Sequence, residues 1–344
     1  MNMNATSMQN YWFPGSANQR SIFNFTNGVL DIESPGFPLV PEDSDNFGNV
    51  ITLPDAVGYY IIGKYLVDSA FTTVAGSTGI FDALTPTVAN CMFAPDIYEK
   101  NAAHLYYIDN NGLHYGHITR DLVQRSSLDT LLKVTLTLPP IANSPLCILG
   151  HPSGEGNWLF YINKQDDSLK LVVVYCLGSD EISSYSLTLS GSGMPVSIDA
   201  YKNRIALVCD DASLVYGVLT AKDSAMTIAV SGRIDGLSPD CIQSAFSAEG
   251  NSLFWLTKEP DGCYVNYRNM TTGTVTSTLT SGNYAAMKCG PDNIIYGLSC
   301  KTRSASTLLT VTPKNVSDDF SVSEIFASAN GGYFPATGWN LYSV

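Results

Sequence analysis

The chain returns to one local pattern at intervals of 41 to 54 residues. In the stretch AFSAEGNSLFWL (Ala245–Leu256), an apolar lead-in is followed by a tight polar turn and then by a strongly apolar run. The central residue pairs of the corresponding apolar runs begin at Tyr59, Tyr106, Phe160, Ala206, Phe254 and Ile295. A unit of this length cannot bury its own faces, so a repeat of this kind predicts a fold in which neighbouring units pack against one another.

Each repeat holds about four strand-like segments. A second apolar run follows the first after a polar turn, as in LKLVVVYCL, and segments such as VTLTL alternate between apolar and polar residues, which is typical of an outer strand with one wet face. Four strands in a period of forty-odd residues are typical of a β-propeller. The sequence therefore predicts an all-β fold, a single β-propeller of seven four-stranded blades, with six or eight blades as alternatives.

The two ends of the chain each hold part of a further repeat. These parts are YWFPGSANQRSIFNFTNGVLDI (Tyr11–Ile32) and GGYFPATGWNLYSV (Gly331–Val344). We expect them to share one blade that closes the ring, with the first long strand from the C-terminal part and the outer strands from the N-terminal part. Because no linker divides the repeats, residues 11–344 are predicted to form one domain after a flexible segment of residues 1–10.

Composition argues against two classes of partner. The net charge is −13 with a pI near 4.6, and such a surface repels phosphate backbones, so we expect no nucleic-acid binding. The longest apolar run, LKLVVVYCLG, is too short to cross a bilayer, so no membrane insertion is expected. The first twenty residues show no signal peptide, which favours the cytoplasm or export by a non-classical route and leaves the cell surface open.

Enzyme signatures are missing from the sequence. There is no G-x-S-x-G elbow, no H-E-x-x-H and no phosphate-binding loop. His114 and His117 lie three positions apart, which sends them to opposite faces of a strand, and the eight cysteines are scattered without a C-x-x-C pair. We therefore predict no catalytic residues, no cofactor and no metal site, with the cysteines as buried free thiols.

Acidic residues recur in the turns between the second and third strands of successive repeats. In a propeller these turns share one end of the ring, so their carboxylates gather there. Two interpretations stay open: Asp, Asn and Gly serve the turns themselves, or the carboxylates form an acidic rim that binds a cation or a basic partner surface. The candidate binding residues are Asp109, Asp166, Asp167, Asp210, Asp211, Glu259 and Asp261.

One stretch resembles a known group of propellers. NYWFPGSANQRSIFNFTNGVLDIE (Asn10–Glu33) is similar to the opening of propeller domains in surface proteins associated with gliding motility and secretion in Bacteroidota, although Pro14 interrupts the pattern. The matching residues are Asn10, Trp12, Phe13, Gly15, Phe25, Asn27 and Gly28. AFSAEGNSLFWL also resembles the FSPDG-type turn of WD-repeat-like propellers. The resemblance implies a scaffold or recognition role and supplies no catalytic residues.

These observations favour a non-enzymatic propeller that binds a protein partner, in a surface, secretion or particle assembly. Two alternatives stay open. One is a carbohydrate-binding propeller of the lectin or adhesin kind, for which 19 Tyr and four Trp residues supply rings that could stack on a glycan. The other is a propeller enzyme, such as a lactonase or a glycosidase, with a site at the axis of the ring.

Overall fold

The fold was obtained as a computed structural model. It describes residues 11–12, 22–25, 27–33, 50–52, 58–62, 65–70, 72–79, 90–99, 101–121, 123, 125–142, 144–298, 307–313, 320–326 and 340–341. The predicted flexible segment, residues 1–10, lies outside them. These residues form 27 strands in seven sheets, and no helix occurs among them. A membrane-spanning helix is therefore absent from this part of the chain.

The first three sheets occupy the N-terminal third of the chain. Sheet 1 contains β1 (Tyr11–Trp12), β2 (Ile22–Asn24) and β3 (Asp31–Glu33). Sheet 2 contains β4 (Val50–Thr52), β5 (Gly58–Ile62) and β6 (Tyr65–Asp68). Sheet 3 contains β7 (Cys91–Pro95), β8 (Ala103–Asp109), β9 (Gly112–Arg120) and β10 (Ser126–Lys133).

The next two sheets form the middle of the chain. Sheet 4 contains β11 (Cys147–Gly150), β12 (Asn157–Gln165), β13 (Ser168–Leu177) and β14 (Asp180–Thr188), and the chain's last described strand joins it. Sheet 5 contains β15 (Pro195–Tyr201), β16 (Arg204–Cys209), β17 (Ser213–Lys222) and β18 (Ala225–Asp235).

The remaining strands complete sheets 6 and 7. Sheet 6 contains β19 (Ala245–Phe246), β20 (Ser252–Glu259), β21 (Gly262–Asn269) and β22 (Val275–Thr280). Sheet 7 contains β23 (Ala286–Cys289), β24 (Ile295–Leu298), β25 (Thr307–Pro313) and β26 (Phe320–Phe326). The last strand, β27 (Asn340–Leu341), pairs with β11 of sheet 4.

The sheets follow one another as the blades of a propeller. Apart from β27 in sheet 4, the strands of each sheet form an antiparallel meander, and the first strands of neighbouring sheets contact one another in chain order from β1 to β23. Sheet 7 then meets sheet 1, because Phe25 packs among Tyr296, Leu298 and Leu308. The predicted propeller is confirmed, and the seven sheets are consistent with the predicted number of blades.

The ends of the chain close the ring in a different way from the one predicted. β1, β2 and β3 form a sheet of their own, and β27 pairs in parallel with β11, not with any N-terminal strand. Among the described strands, therefore, the two ends of the chain do not share a blade as expected. The physical reason is that the N-terminal segment supplies its own first strand, which already contacts β4 of the next sheet.

Burial follows position in the sheet. β12 is buried from Asn157 through Asn163, as a strand covered on both faces must be, whereas β14, β18 and β22 largely alternate between exposed and less exposed residues. The predicted buried thiols are confirmed for Cys91, Cys147, Cys176, Cys209, Cys241 and Cys263, and among the described residues these thiols form no disulfide. The first three strands of the sheets thus make the core, and the fourth strands face solvent.

Candidate functional site

Three chemistry-bearing side chains come together at one end of sheet 3. Asp96 is the first residue after β7, His104 is the second residue of β8, and His117 lies on β9 directly opposite His104 in the strand register. Because β7, β8 and β9 are neighbours in the sheet, each contributes one side chain to the same face. We call Asp96, His104 and His117 the histidine cluster.

The histidine cluster is compact and partly open to solvent. Nε2 of His117 lies 3.0 Å from Oδ2 of Asp96, and Nε2 of His104 lies 3.8 Å from the same oxygen. The two imidazole rings stack with centroids 5.4 Å apart. The relative solvent exposure of the side chain is 11% for Asp96, 19% for His104 and 22% for His117, so water reaches all three.

Neighbouring groups orient the cluster. Nδ1 of His104 lies 2.9 Å from the hydroxyl of Tyr115, which turns Nε2 of the same ring towards Asp96. Oδ1 of Asp96 accepts hydrogen bonds from the backbone N–H groups of Tyr98 and Glu99, at 2.8 and 3.0 Å. The other carboxylate oxygen, Oδ2, is thereby directed at the two imidazoles.

Burial and hydrogen bonding set the charge states in the cluster. Burial lowers the pKa of His104, Asp96 opposes this effect and the neighbouring His117 adds to it. The resulting pKa is about 4, so the imidazole is neutral near pH 7. Burial raises the pKa of Asp96, but the hydrogen bonds from Tyr98 and Glu99 and the interactions with the two imidazoles outweigh it, and the net pKa is lowered. The site therefore offers a carboxylate beside a neutral imidazole.

His114 belongs to the other face of the sheet, as the sequence predicted. It lies opposite Tyr107, its ring stacks on that residue with centroids 4.8 Å apart, and its Nε2 lies 2.9 Å from Oδ1 of Asp109. Sequence reasoning compared His117 only with His114, placed the two on opposite faces of a strand, and missed the grouping of His117 with Asp96 and His104. The turn at Asn110–Asn111 could have predicted that His104 and His117 face each other, since they lie at equal distances in sequence on either side of it.

A second pair of ionisable side chains lies near the axis of the ring. Asp199 is on β15 and Lys288 is on β23, both are buried, and each acts electrostatically on the other although their sheets are separated by sheet 6. Lys288 also interacts with Cys147 of β11. Groups from the first strands of sheets 4, 5 and 7 can converge in this way only where those strands approach one another, towards the axis.

Burial shifts both groups of this pair towards neutrality. It raises the pKa of Asp199 to about 7, against the opposing charge of Lys288, and it lowers the pKa of Lys288 to about 7, against the charge of Asp199. β27 lies on the axial side of β11 and also contacts β15, so a backbone strand stands close to this region.

The seven predicted rim residues lie in or beside the turns between the second and third strands of sheets 3, 4, 5 and 6. The carboxylates of three of them accept hydrogen bonds from backbone N–H groups of nearby turns and loops. Asp109 accepts from the N–H of Asn111 at 2.6 Å, Asp210 accepts from the N–H of Met194 at 2.8 Å, and Asp211 accepts from the N–H of Gly193 at 2.7 Å and lies 3.1 Å from Arg233.

The other four rim residues are exposed, namely Asp166, Asp167, Glu259 and Asp261. Asp166 and Asp167 have φ angles of 49° and 59°, a conformation that Asp tolerates in tight hairpin turns. Asp167 lies 3.2 Å from Lys164, and Asp261 accepts a hydrogen bond from Tyr264 at 2.7 Å. Turn geometry thus explains part of the acidic pattern and leaves exposed carboxylates on sheets 4 and 6.

No protein-family model matches the chain, and no curated protein sequence matches it. Solved structures do match along almost the whole chain. The β-propeller domain of Cps50 (Swd1) from Myceliophteria thermophila is 11% identical with a TM-score of 0.56, covering 94% of this chain and 96% of that one. At this identity the likeness establishes the fold alone.

Two further matches bear names of enzymes. A provisionally assigned 6-phosphogluconolactonase from Bacteroides uniformis is 13% identical with a TM-score of 0.55, covering 94% of this chain and 98% of that one. The periplasmic gluconolactonase PpgL of Pseudomonas aeruginosa is 11% identical with a TM-score of 0.51, covering 95% and 99%. The prediction that the chain is not an enzyme is corrected: its fold is found in proteins named as lactonases as well as in the β-propeller domain of Cps50, so the missing sequence signatures do not support that prediction.

Proposed function

We propose that this propeller binds another protein through the end of the ring that carries the turns between second and third strands. The observation that supports the proposal is the set of exposed carboxylates of Asp166, Asp167, Glu259 and Asp261, which project from sheets 4 and 6 at corresponding positions. We call these four residues the acidic rim. A partner of this surface carries a basic patch, because complementary charge speeds encounter and selects orientation.

The proposal includes the setting implied by the resemblance to gliding and secretion propellers, a surface or secretion assembly.

The burial of the aromatic residues favours a protein partner over a glycan. Large rings such as Trp158, Tyr106, Tyr161 and Phe254 are fully buried, so they pack the core and are not free to stack on sugars.

The test compares two variants with equal loss of charge. The rim variant carries Asp166→Asn, Asp167→Asn, Glu259→Gln and Asp261→Asn. The control variant carries Glu155→Gln, Asp180→Asn, Asp223→Asn and Glu249→Gln, in or beside turns at the opposite ends of the sheets. Tagged proteins capture partners from cells of the source organism, and mass spectrometry quantifies them. We expect a partner with a basic surface that the wild type and the control retain and the rim variant loses. Equal retention by all three proteins contradicts the proposal.

A second function is hydrolysis of a lactone near the axis of the ring. The specific observation in its favour is the pair Asp199 and Lys288, whose pKa values both shift to about 7. A carboxylate with a pKa near the working pH is suited to act as a general base towards water, and a neighbouring ammonium stabilises the oxyanion that forms when water attacks an ester carbonyl. The lactonase names of two structurally similar proteins direct the choice of substrate.

Gluconolactone and its 6-phosphate are the substrates for this test. We expect the wild type to hydrolyse one of them faster than buffer does, and the double variant Asp199→Asn/Lys288→Met to lose that activity. The acidic-rim variant is the matched control and retains it, because its substitutions lie in exposed turns. Hydrolysis at the buffer rate by the wild type excludes this second function and leaves the binding proposal intact.

A further inference from the structure

We propose that Asp96, His104 and His117 bind a divalent transition-metal ion of the zinc class. The proposal is independent of the acidic rim, because the histidine cluster lies at the opposite end of sheet 3 from the turn that holds Asp109. It rests on the geometry of the three side chains and on the groups that orient them.

The backbone places the three ligands without a special loop. His104 and His117 are register partners across the hairpin of β8 and β9, so their side chains lie side by side on one face of the sheet. Asp96 directly follows Pro95, and Pro95 lies opposite Ala103, the residue before His104. Two neighbouring strands hold the histidines, and the end of a third strand fixes the start of the turn that holds Asp96; strands position ligands more accurately than loops do.

The distances fit a small metal ion. Two ligands bound to one tetrahedral Zn²⁺ at about 2.0–2.1 Å lie about 3.3–3.4 Å from each other. The two nitrogen-to-oxygen distances are 3.0 and 3.8 Å, and all three ligand atoms lie within 4.8 Å of one another. Both nitrogen-to-oxygen distances therefore lie within about half an ångström of the separation that two ligands of one zinc ion take.

The groups around the ligands resemble the outer shell of a metal site. Metal-bound histidines use one ring nitrogen for the ion and hold the other in a hydrogen bond. Here Nδ1 of His104 is held by Tyr115 at 2.9 Å, and Oδ1 of Asp96 is held by two backbone N–H groups, which leaves Nε2 and Oδ2 directed at the same point.

The ligand set selects the class of ion. Two imidazole nitrogens and one carboxylate oxygen suit Zn²⁺, Co²⁺, Ni²⁺ or Cu²⁺ and disfavour Ca²⁺ and Mg²⁺, which prefer oxygen ligands only. Three protein ligands leave at least one coordination position for water or for a group from a bound molecule, since solvent reaches each of the three side chains.

The sheet provides a matched control on its other face. His114 and Asp109 form a similar pair, with Nε2 of His114 2.9 Å from Oδ1 of Asp109, but no third ligand is grouped with them among the described residues. His114→Gln removes a histidine–aspartate contact of the same kind from the same strand and leaves the histidine cluster intact.

The experiment titrates Zn²⁺ into chelator-treated, reduced protein by calorimetry and records the visible spectrum with Co²⁺. We expect one ion per chain for the wild type and for His114→Gln. His104→Gln and His117→Gln each weaken binding at least about tenfold, and Tyr115→Phe, which removes only the positioning group, weakens it about 10- to 100-fold with the fold unchanged by circular dichroism. Binding that is undetectable in the wild type at millimolar Zn²⁺, or unchanged in the double variant His104→Gln/His117→Gln, overturns the proposal.

X-ray absorption of the zinc-loaded wild type provides a second readout that needs no variant. We expect nitrogen and oxygen neighbours at about 2.0–2.1 Å with imidazole scattering. Sulfur neighbours at about 2.3 Å would instead assign the ion to the cysteines and contradict the proposal.

Discussion

Phe25 and Tyr296 meet edge to face, with ring centroids 5.8 Å apart and planes inclined by 60°. The two residues are separated by most of the chain, and their contact joins sheet 1 to sheet 7. Both are almost fully buried, in a small cluster that also contains Ala286, Leu298 and Leu308. Closure of the ring therefore depends on side-chain packing between the first and last sheets.

Phe25→Ala is expected to lower the free energy of unfolding by about 3–5 kcal/mol, because it removes a buried ring and leaves a cavity at the closure. Urea unfolding followed by circular dichroism measures the change. Val29→Ala in the same N-terminal region is the control, since Val29 is 63% exposed, and its expected effect is below about 0.5 kcal/mol. Equal effects of the two substitutions would show that the ring does not close at Phe25.

The repeated units could be predicted because they rest on local patterns. The turn in AFSAEGNSLFWL and its counterparts set the period, and the fourth strand predicted at Ala225–Gly232 is observed at Ala225–Asp235. The partner of β27 could not be predicted. Its two residues pair with β11 nearly two hundred positions earlier, and no local pattern encodes so distant a contact.

The candidate site was missed for a related reason. His114 and His117 are close in sequence, but the alternation of a strand separates them, whereas register brings His117 opposite His104. Asp96 joins them only because β7 pairs with β8. Pairing of β8 with β9 follows from the turn at Asn110–Asn111 and was within reach of the sequence, but the contribution of Asp96 required the structure.

A hydrogen bond between two blades provides a second prediction. The hydroxyl of Tyr106 in sheet 3 donates to the carbonyl oxygen of Gly178 in sheet 4 at 2.9 Å. Tyr106→Phe is expected to lower the free energy of unfolding by about 1–2 kcal/mol, since it removes the donor from a buried site. Urea unfolding measures it against Tyr98→Phe, where the side chain is 78% exposed and no effect is expected.

The buried cysteines provide a third prediction. Burial raises the pKa of Cys176 and of Cys241 to about 12, so neither forms the reactive thiolate near neutral pH. In the folded protein we expect both to resist N-ethylmaleimide, and in urea we expect both to react. Peptide mass spectrometry after timed labelling checks this, with the same peptides from the protein labelled in urea as the comparison. Rapid labelling of Cys241 in the folded chain would contradict its position in the core.

The pair Asp199 and Lys288 predicts an unusual dependence of stability on pH. From about pH 4, near the pKa of an unfolded Asp, to about pH 7, folded Asp199 holds a proton that the unfolded chain has lost, so its contribution to the free energy of unfolding falls as pH rises. From pH 7 to about 10.4 the unfolded chain holds a proton on Lys288 that the folded chain has lost, so the contribution rises. The pair therefore contributes least near pH 7.

Comparison with Asp199→Asn/Lys288→Met isolates this contribution from that of other groups. His104 acts in the opposite direction below pH 6.5, because its pKa is lowered to about 4 and its contribution grows as pH rises, but it is present in both proteins and cancels. Urea unfolding from pH 5 to pH 9 is expected to give a difference between wild type and variant with a minimum near pH 7 and slopes of up to about 1.4 kcal/mol per pH unit on either side. A difference that is constant across this range would mean that Asp199 and Lys288 keep the same charges folded and unfolded, which would also remove the physical basis for a general base near the axis.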